Sequence, residues 1–146
     1  MVTSSNPPRD SWHGEHTIET SAAPEAIWRV LRDVAGWPRW NAGIARIELE
    51  GPFATGTWFA MQPPGQDTLR SRLLDVRENE GFTDETRIDD LVVTVAHRIE
   101  RLAGGARVTY AIDAVGPGAS EVGPAVSADF PEVLAALVAA AGDARS

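Results

Sequence analysis

The chain has no cysteine and no lysine, and each absence removes a class of chemistry. Without thiols there is no cysteine nucleophile, no thiolate metal site and no disulfide framework, so redox compartment leaves no mark on the composition. All 13 cationic residues are arginine. That excludes Schiff-base catalysis, a lysine-anchored pyridoxal phosphate and the P-loop lysine. Positive charge is itself scarce: 21 carboxylates leave a formal net charge of −8 and a pI near 4.8. Such a surface repels a nucleic-acid backbone and an anionic membrane alike, so neither is expected as a partner. No uninterrupted run of 18 apolar residues occurs, and Met1 to Asp10 lacks the positive start and apolar core of a signal peptide. A cytoplasmic, soluble protein without stable membrane insertion is expected.

What is present is enough for one core. At 146 residues, 43% hydrophobic and 23% charged, the chain has the length and balance of a single globular domain. A domain of that size buries about 68–70% of its unfolded surface without needing a staple. Residues 1–14 open with Ser4, Ser5, Asn6, Pro7 and Pro8 and read as a disordered leader, leaving 15–146 as the domain. A short strand is expected at His16 to Thr20. SAAPEAIWRVLRDV then supplies Ser21 as a helix cap, Pro24 for the first turn, and Ile27, Val30, Leu31 and Val34 as one apolar stripe. Gly36 is expected to stop this helix. WPRWN, Trp37 to Asn41, reads as a further helical turn.

From Ile44 the period changes to two. Six strands are expected, at Ile44–Leu49, Thr57–Gln62, Leu69–Glu78, Phe82–Ile88, Leu91–Leu102 and Ala106–Val115. Chain-reversing signals separate them, among them Asp89-Asp90 and Gly104-Gly105. Six in succession make an antiparallel meander. Within Leu69–Glu78, Leu69, Leu73 and Asp75 compete with Leu74 and Val76 for the inner face, which points to a bulge. After Gly118 the pattern is helical again, with Phe130, Leu134, Leu137, Val138 and Ala141 on one face, and Pro124 and Pro131 expected to break or start it.

Strand parity places three polar residues inside. In Leu91–Leu102 the odd positions Leu91, Val93, Val95 and Ile99 are apolar and the even positions end in Arg98 and Glu100, so His97 points inward. A two-residue turn at Gly104-Gly105 sets Ile99 opposite Tyr110 and His97 opposite Ile112. A turn at Asp89-Asp90 sets Phe82 opposite His97 and Asp84 opposite Val95. Asp84, His97 and Tyr110 then share one face on three adjacent strands, within diagonal reach of one another. Such a set can act as general acid and base, with His97 moving a proton near neutral pH, Asp84 orienting the imidazole and Tyr110 donating to a developing enolate. It can equally be a satisfied buried polar network.

Other groups have blander readings. His13, Glu15 and His16 offer a His-x-x-His with a carboxylate but no second cluster, so no metal is expected. Arg70 and Arg72 alternate with Ser71 and Leu73, as a solvated row does. Trp28 reads as helix packing and Trp40 as a candidate cavity wall.

In order and local motif the chain resembles the START and polyketide cyclase/dehydrase (SRPBCC) superfamily. The resemblance is carried by SAAPEAIWRVLRDVAGWPRWNAGI, GPFATGTWF, HRIERLAGGARVTYAIDAVGP and the helix after them, over residues 16 to 142. It implies an α+β helix-grip fold, β-αα-β6-α, in which a curved antiparallel sheet wraps a long C-terminal helix around an internal hydrophobic cavity. It also implies a small hydrophobic ligand, polyketide- or lipid-like, with no cofactor. Trp40, Phe59, Met61, Phe82, Thr86, Val95, Ile112, Phe130 and Leu134 are the expected cavity lining. The superfamily contains polyketide cyclases and dehydratases, lipid carriers and chaperone modulators, so fold leaves the choice between enzyme, carrier and interaction domain open. A monomer or homodimer is expected.

Overall fold

The computed structural model describes residues 10–142. β1 (Ser11–Thr20) leads into α1 (Pro24–Arg32), a 3-10 turn (Val34–Gly36) and α2 (Trp37–Trp40). Six strands follow: β2 (Arg46–Leu49), β3 (Trp58–Gln62), β4 (Leu69–Arg77), β5 (Gly81–Ile88), β6 (Leu91–Leu102) and β7 (Gly105–Val115). α3 (Ala119–Ser127) and α4 (Phe130–Ala140) close the chain as one bent helical arm. All seven strands form a single antiparallel sheet in the order β1-β7-β6-β5-β4-β3-β2. This is the α+β helix-grip architecture, with the arm and α1 packed over one face of the sheet.

The first strand is longer than its sequence suggests. Ser11 to Gly14 pair with Val115 to Ile112, so these four residues belong to the sheet and not to a leader, and residues 1–9 lie outside the described part. The reason is Trp12, whose indole packs so closely over Gly123 of α3 that a Cβ there would lie 2.4 Å from the ring. Gly14, without a side chain, leaves the same indole its room on the strand.

The helix boundaries also differ from expectation. The cap position of α1 is Ala23, not Ser21; the chain instead turns into the helix with the Ala22 N–H donating to Thr20 Oγ1 at 3.1 Å. α1 ends at Arg32, before Gly36, which sits in the 3-10 turn. There Trp37 Nε1 donates to the Leu31 carbonyl at 2.9 Å and ties α2 to the end of α1. Pro124 lies inside α3 without ending it, while Pro131 takes the first turn of α4 as its fixed φ favours. Within Ala119–Ala140 an 18-residue window reaches a mean hydropathy of 1.4, so by length and composition alone the arm could cross a membrane. In this fold its apolar side is used against the sheet, with Leu134 and Leu137 fully buried.

β4 contains the expected bulge. Its pairing with β5 shifts by one residue between Leu74 and Arg77, and Asp75 absorbs the extra residue at φ +48°. Ser71 and Leu73 are therefore buried on the inner face before the bulge, and Val76 returns to the core after it.

Gly81 opens β5 at φ +136°, where a Cβ would lie 1.9 Å from the His97 carbonyl oxygen. Gly81→Ala is expected to destabilise the fold by about 2–3 kcal/mol through backbone strain and a lost β5–β6 approach, read as a lower midpoint in chemical denaturation.

Candidate functional site

The inner face carries the three polar residues that parity predicts. β5 pairs with β6 as expected, Phe82 opposite His97 and Asp84 opposite Val95. The β6–β7 turn is Ala103-Gly104, not Gly104-Gly105, so Leu102 pairs with Gly105, Ile99 with Val108, and His97 directly with Tyr110. A two-residue shift in pairing keeps the face and changes only the neighbour. Continuing onto β1, Tyr110 faces His16. One row across four strands thus reads His16, Tyr110, His97, Phe82, with Asp84 in the adjacent row.

Aromatic rings enclose this row. His97 stacks on Phe82 with centroids 4.1 Å apart and meets Tyr110 edge-on at 4.4 Å. Tyr110 meets Phe130 at 5.4 Å, and His16 meets the same Phe130 at 6.1 Å. Behind Phe82 stand Trp37 at 6.1 Å and Phe53 at 5.2 Å. His16 and Phe53 are members that sequence reasoning missed. Parity with Trp12 and Ile18 would have turned His16 inward, but Phe53 lies in an irregular loop with no period to read.

Burial sets the charge states. Asp84 Oδ2 lies 3.7 Å from His97 Nε2, with the two side chains 16% and 9% exposed. That is an ion-pair distance were both groups charged, and too long for a hydrogen bond. His97 Nδ1 is buried without a hydrogen-bond partner. Desolvation penalises both charged forms: it pushes the Asp84 carboxyl up to about 7 and the His97 imidazolium down to about 3. Burial, then the nearby Asp84, raises the Tyr110 phenol. The group that titrates near neutral pH is therefore Asp84, and His97 stays neutral, the reverse of the roles expected from residue type.

The expected lining residues share the same interior. Phe59 and Met61 on β3, Phe82 and Thr86 on β5, Val95 on β6 and Ile112 on β7 fall on the inner face by register. Phe59, Phe82, Val95, Ile112, Phe130 and Leu134 are buried core, with Met61 and Trp40 packed against it. Thr86 Oγ1 and Ser71 Oγ are hydrogen-bonded at 2.5 Å. An open cleft of about 630 Å³ lies elsewhere, lined by Trp28, Arg32, Leu49, Phe53, Ala54, Thr55, Val76 and Glu78. None of the expected lining residues borders it, because it forms between α1, the β2–β3 loop and the β4 bulge, which no strand period describes. Trp28 does both things: it is buried in the helix packing and walls the cleft.

The remaining candidates sit on the outer face. His13 donates from Nδ1 to Asp113 at 2.8 Å and from Nε2 to Glu15 at 3.0 Å, while His16 faces inward, so the His-x-x-His is split between two sides of the sheet. Arg70 pairs with Glu50 at 2.6 Å, and Arg70 and Arg72 both lie over Trp58; Arg70 is solvated as expected, while Arg72 is half-buried with its Nε buried and without a hydrogen-bond partner.

A pH prediction follows from the paired shifts. Asp84, raised in the fold, favours folding at low pH and loses that advantage as pH rises from about 3.8 through about 7. His97, lowered in the fold, has the opposite slope and loses stability as pH falls from 6.5 toward about 3. Folded and unfolded pairs each hold one proton between these limits, so the two slopes cancel. Asp84→Asn should unmask the His97 slope, with stability falling by up to about 1.4 kcal/mol per pH unit on acidification below 6.5, and His97→Phe should unmask the reverse. Urea denaturation from pH 4 to 8 on the two variants and the parent checks this; parallel curves for all three would contradict the neutral pair.

The fold has solved counterparts. A norcoclaurine synthase point mutant from Thalictrum flavum, in complex with a transition-state analogue, superposes with a TM-score of 0.77 at 11% identity over 97% of this chain and 100% of that one. The di-domain ARO/CYC protein StfQ of the steffimycin biosynthetic pathway gives 0.75 at 15% identity, over 90% of this chain and 50% of that one. Protein MLL2253 from Mesorhizobium loti gives 0.75 at 16%, over 88% and 96%. By sequence, the chain matches no curated protein. The sequence profile for polyketide cyclase / dehydrase and lipid transport matches residues 11–142, nearly the whole length, and the chain belongs to that family.

Proposed function

We propose that the chain holds a small hydrophobic, polyketide- or lipid-like molecule between the sheet and the helical arm, and that Asp84, His97 and Tyr110 act on it in an aldol-type cyclisation and dehydration. The observation that carries this reading is the convergence of three titratable side chains on one apolar face, with the carboxyl 3.7 Å from an imidazole. A carboxyl at about 7 is a base of the right strength to take a proton from a carbon between two carbonyls. The neutral Tyr110 hydroxyl donates to the enolate oxygen as charge develops there. As the new carbon–carbon bond forms, Asp84 returns the first proton to the aldolate oxygen, which becomes a hydroxyl; the freed carboxylate then removes a second carbon-bound proton and delivers it to that hydroxyl, which leaves as water. His97, neutral and stacked on Phe82, positions the carboxyl. Holding a flexible chain in the cyclising conformation contributes further rate by removing the entropy of finding it.

The family contains cyclases, and an ARO/CYC protein shares the fold; both support the reading. The tight packing of the row, with Tyr110 only 4% exposed, favours a second one, in which the same groups orient a carried lipid without chemistry.

Turnover of a poly-β-keto thioester separates them. For the enzyme, Asp84→Asn lowers kcat at least 100-fold with ligand affinity within about threefold, and the parent's rate rises with pH up to about 7 and then levels. Affinity lost in parallel with any rate, or a rate indifferent to Asp84→Asn, would leave the carrier. Native mass spectrometry before and after mild organic extraction identifies the ligand class in either case.

A further inference from the structure

We propose that the cleft beside α1 is a binding site in its own right, for a small planar aromatic carboxylate whose ring rests on the Trp28 and Phe53 wall and whose carboxylate is received by Arg32. At about 630 Å³ the cleft has the volume of a small-molecule site. Part of its wall is aromatic: Trp28, itself mostly buried, and Phe53 meet edge-on at 5.6 Å, with Leu49 and Val76 beside them. Thr55 is already used, since its Oγ1 accepts from the Val76 N–H at 2.9 Å. Two charged side chains complete the lining, Arg32 and Glu78.

Neither makes an ion pair among the described residues. With 21 carboxylates against 13 arginines, eight carboxylates must go without a cation, and among the described residues Arg29, Arg32, Arg39, Arg46, Arg72 and Arg98 are also outside one; Arg32 is the one of these six that lines the cleft. Arg70, Arg77, Arg87, Arg101 and Arg107 each pair with a carboxylate. Among the described residues, the arginine that borders the cleft makes no such pair, and its planar guanidinium is suited to a carboxylate's two oxygens.

This site is distinct from the buried row and does not rest on the reading of it. Phe53 closes the inner end of the cleft; its ring is 5.2 Å from Phe82, which stacks on His97. Two aromatic rings therefore separate a ligand in the cleft from His97.

Titration with 2-naphthoate, 2-naphthalenemethanol and 2-naphthylmethylamine, read on the five indole N–H resonances assigned by Trp→Phe variants, tests the proposal. The expected result is saturable movement of the Trp28 resonance by 2-naphthoate. Arg32→Gln, at an exposed helix position, should weaken that probe at least fivefold and leave the alcohol within twofold. Ala54→Trp, which fills the cleft from its loop, should weaken both. Asp84→Asn should leave the naphthoate titration unchanged whatever it does to turnover, so this site and the catalytic reading fail separately. The proposal is overturned if the amine binds at Trp28 more tightly than the carboxylate, if naphthoate moves only other indoles or none, if Arg32→Gln leaves its affinity unchanged, or if Asp84→Asn weakens it.

Discussion

The constraint on which the rest of this structure depends is the burial of one face of β6. From Leu91 to Ile99 its odd positions enter the core while its even positions stay partly or fully exposed, and it pairs without interruption with both β5 and β7. Side chains directly opposite one another share a face, so the choice made by β6 passes to its neighbours and from β7 to β1. Only β4 departs, and it does so through one extra residue at Asp75. The helical arm and α1 exist in this position because the apolar face must be covered. Trp12 over Gly123 and Trp37 bound to the Leu31 carbonyl are the contacts that fix how closely the cover fits.

The same burial gives the inner polar groups their chemistry. His97 and His13 differ in little but the face they occupy, and their shifts have opposite signs. His13, between Asp113 and Glu15, is raised, with the Asp113 hydrogen bond as the largest cause. His97, among Phe82, Tyr110 and the core, is driven the other way by desolvation. A neutral pair costs less than an ion pair where the surroundings offer rings in place of donors, so the proton resides on Asp84. On the outer face the many arginine–carboxylate pairs are solvated and screened, and they contribute solubility more than stability.

The buried row and the cleft, the two proposed sites, are built from different kinds of element. The row of Asp84, His97 and Tyr110 stands on strands, whose backbones are held on both sides and whose side chains are set with little freedom. The cleft stands on a helix, a loop and a bulge, which are free to vary without disturbing the sheet. That arrangement allows the cleft's lining to change while the strand-borne groups stay in place.

Composition and period alone determined much of this. The missing cysteine and lysine, the positions of β2 to β7 within a residue or two, the inward face of Asp84, His97 and Tyr110, and the bulge in β4 all follow from local chemistry and a side-chain period of two, which a pairing shifted by two residues does not disturb. Tertiary structure decided the rest. That Trp12 draws Ser11 to Gly14 into the sheet depends on Gly123, far away in sequence. Which of Asp84 and His97 carries the proton depends on the rings that exclude water from both, and desolvation is a property of packing that no spacing encodes. The cleft of Trp28, Arg32, Phe53 and Glu78 joins three segments whose only relation is contact in the folded chain, and a cavity's existence depends on how completely side chains from separate elements fill the space between them.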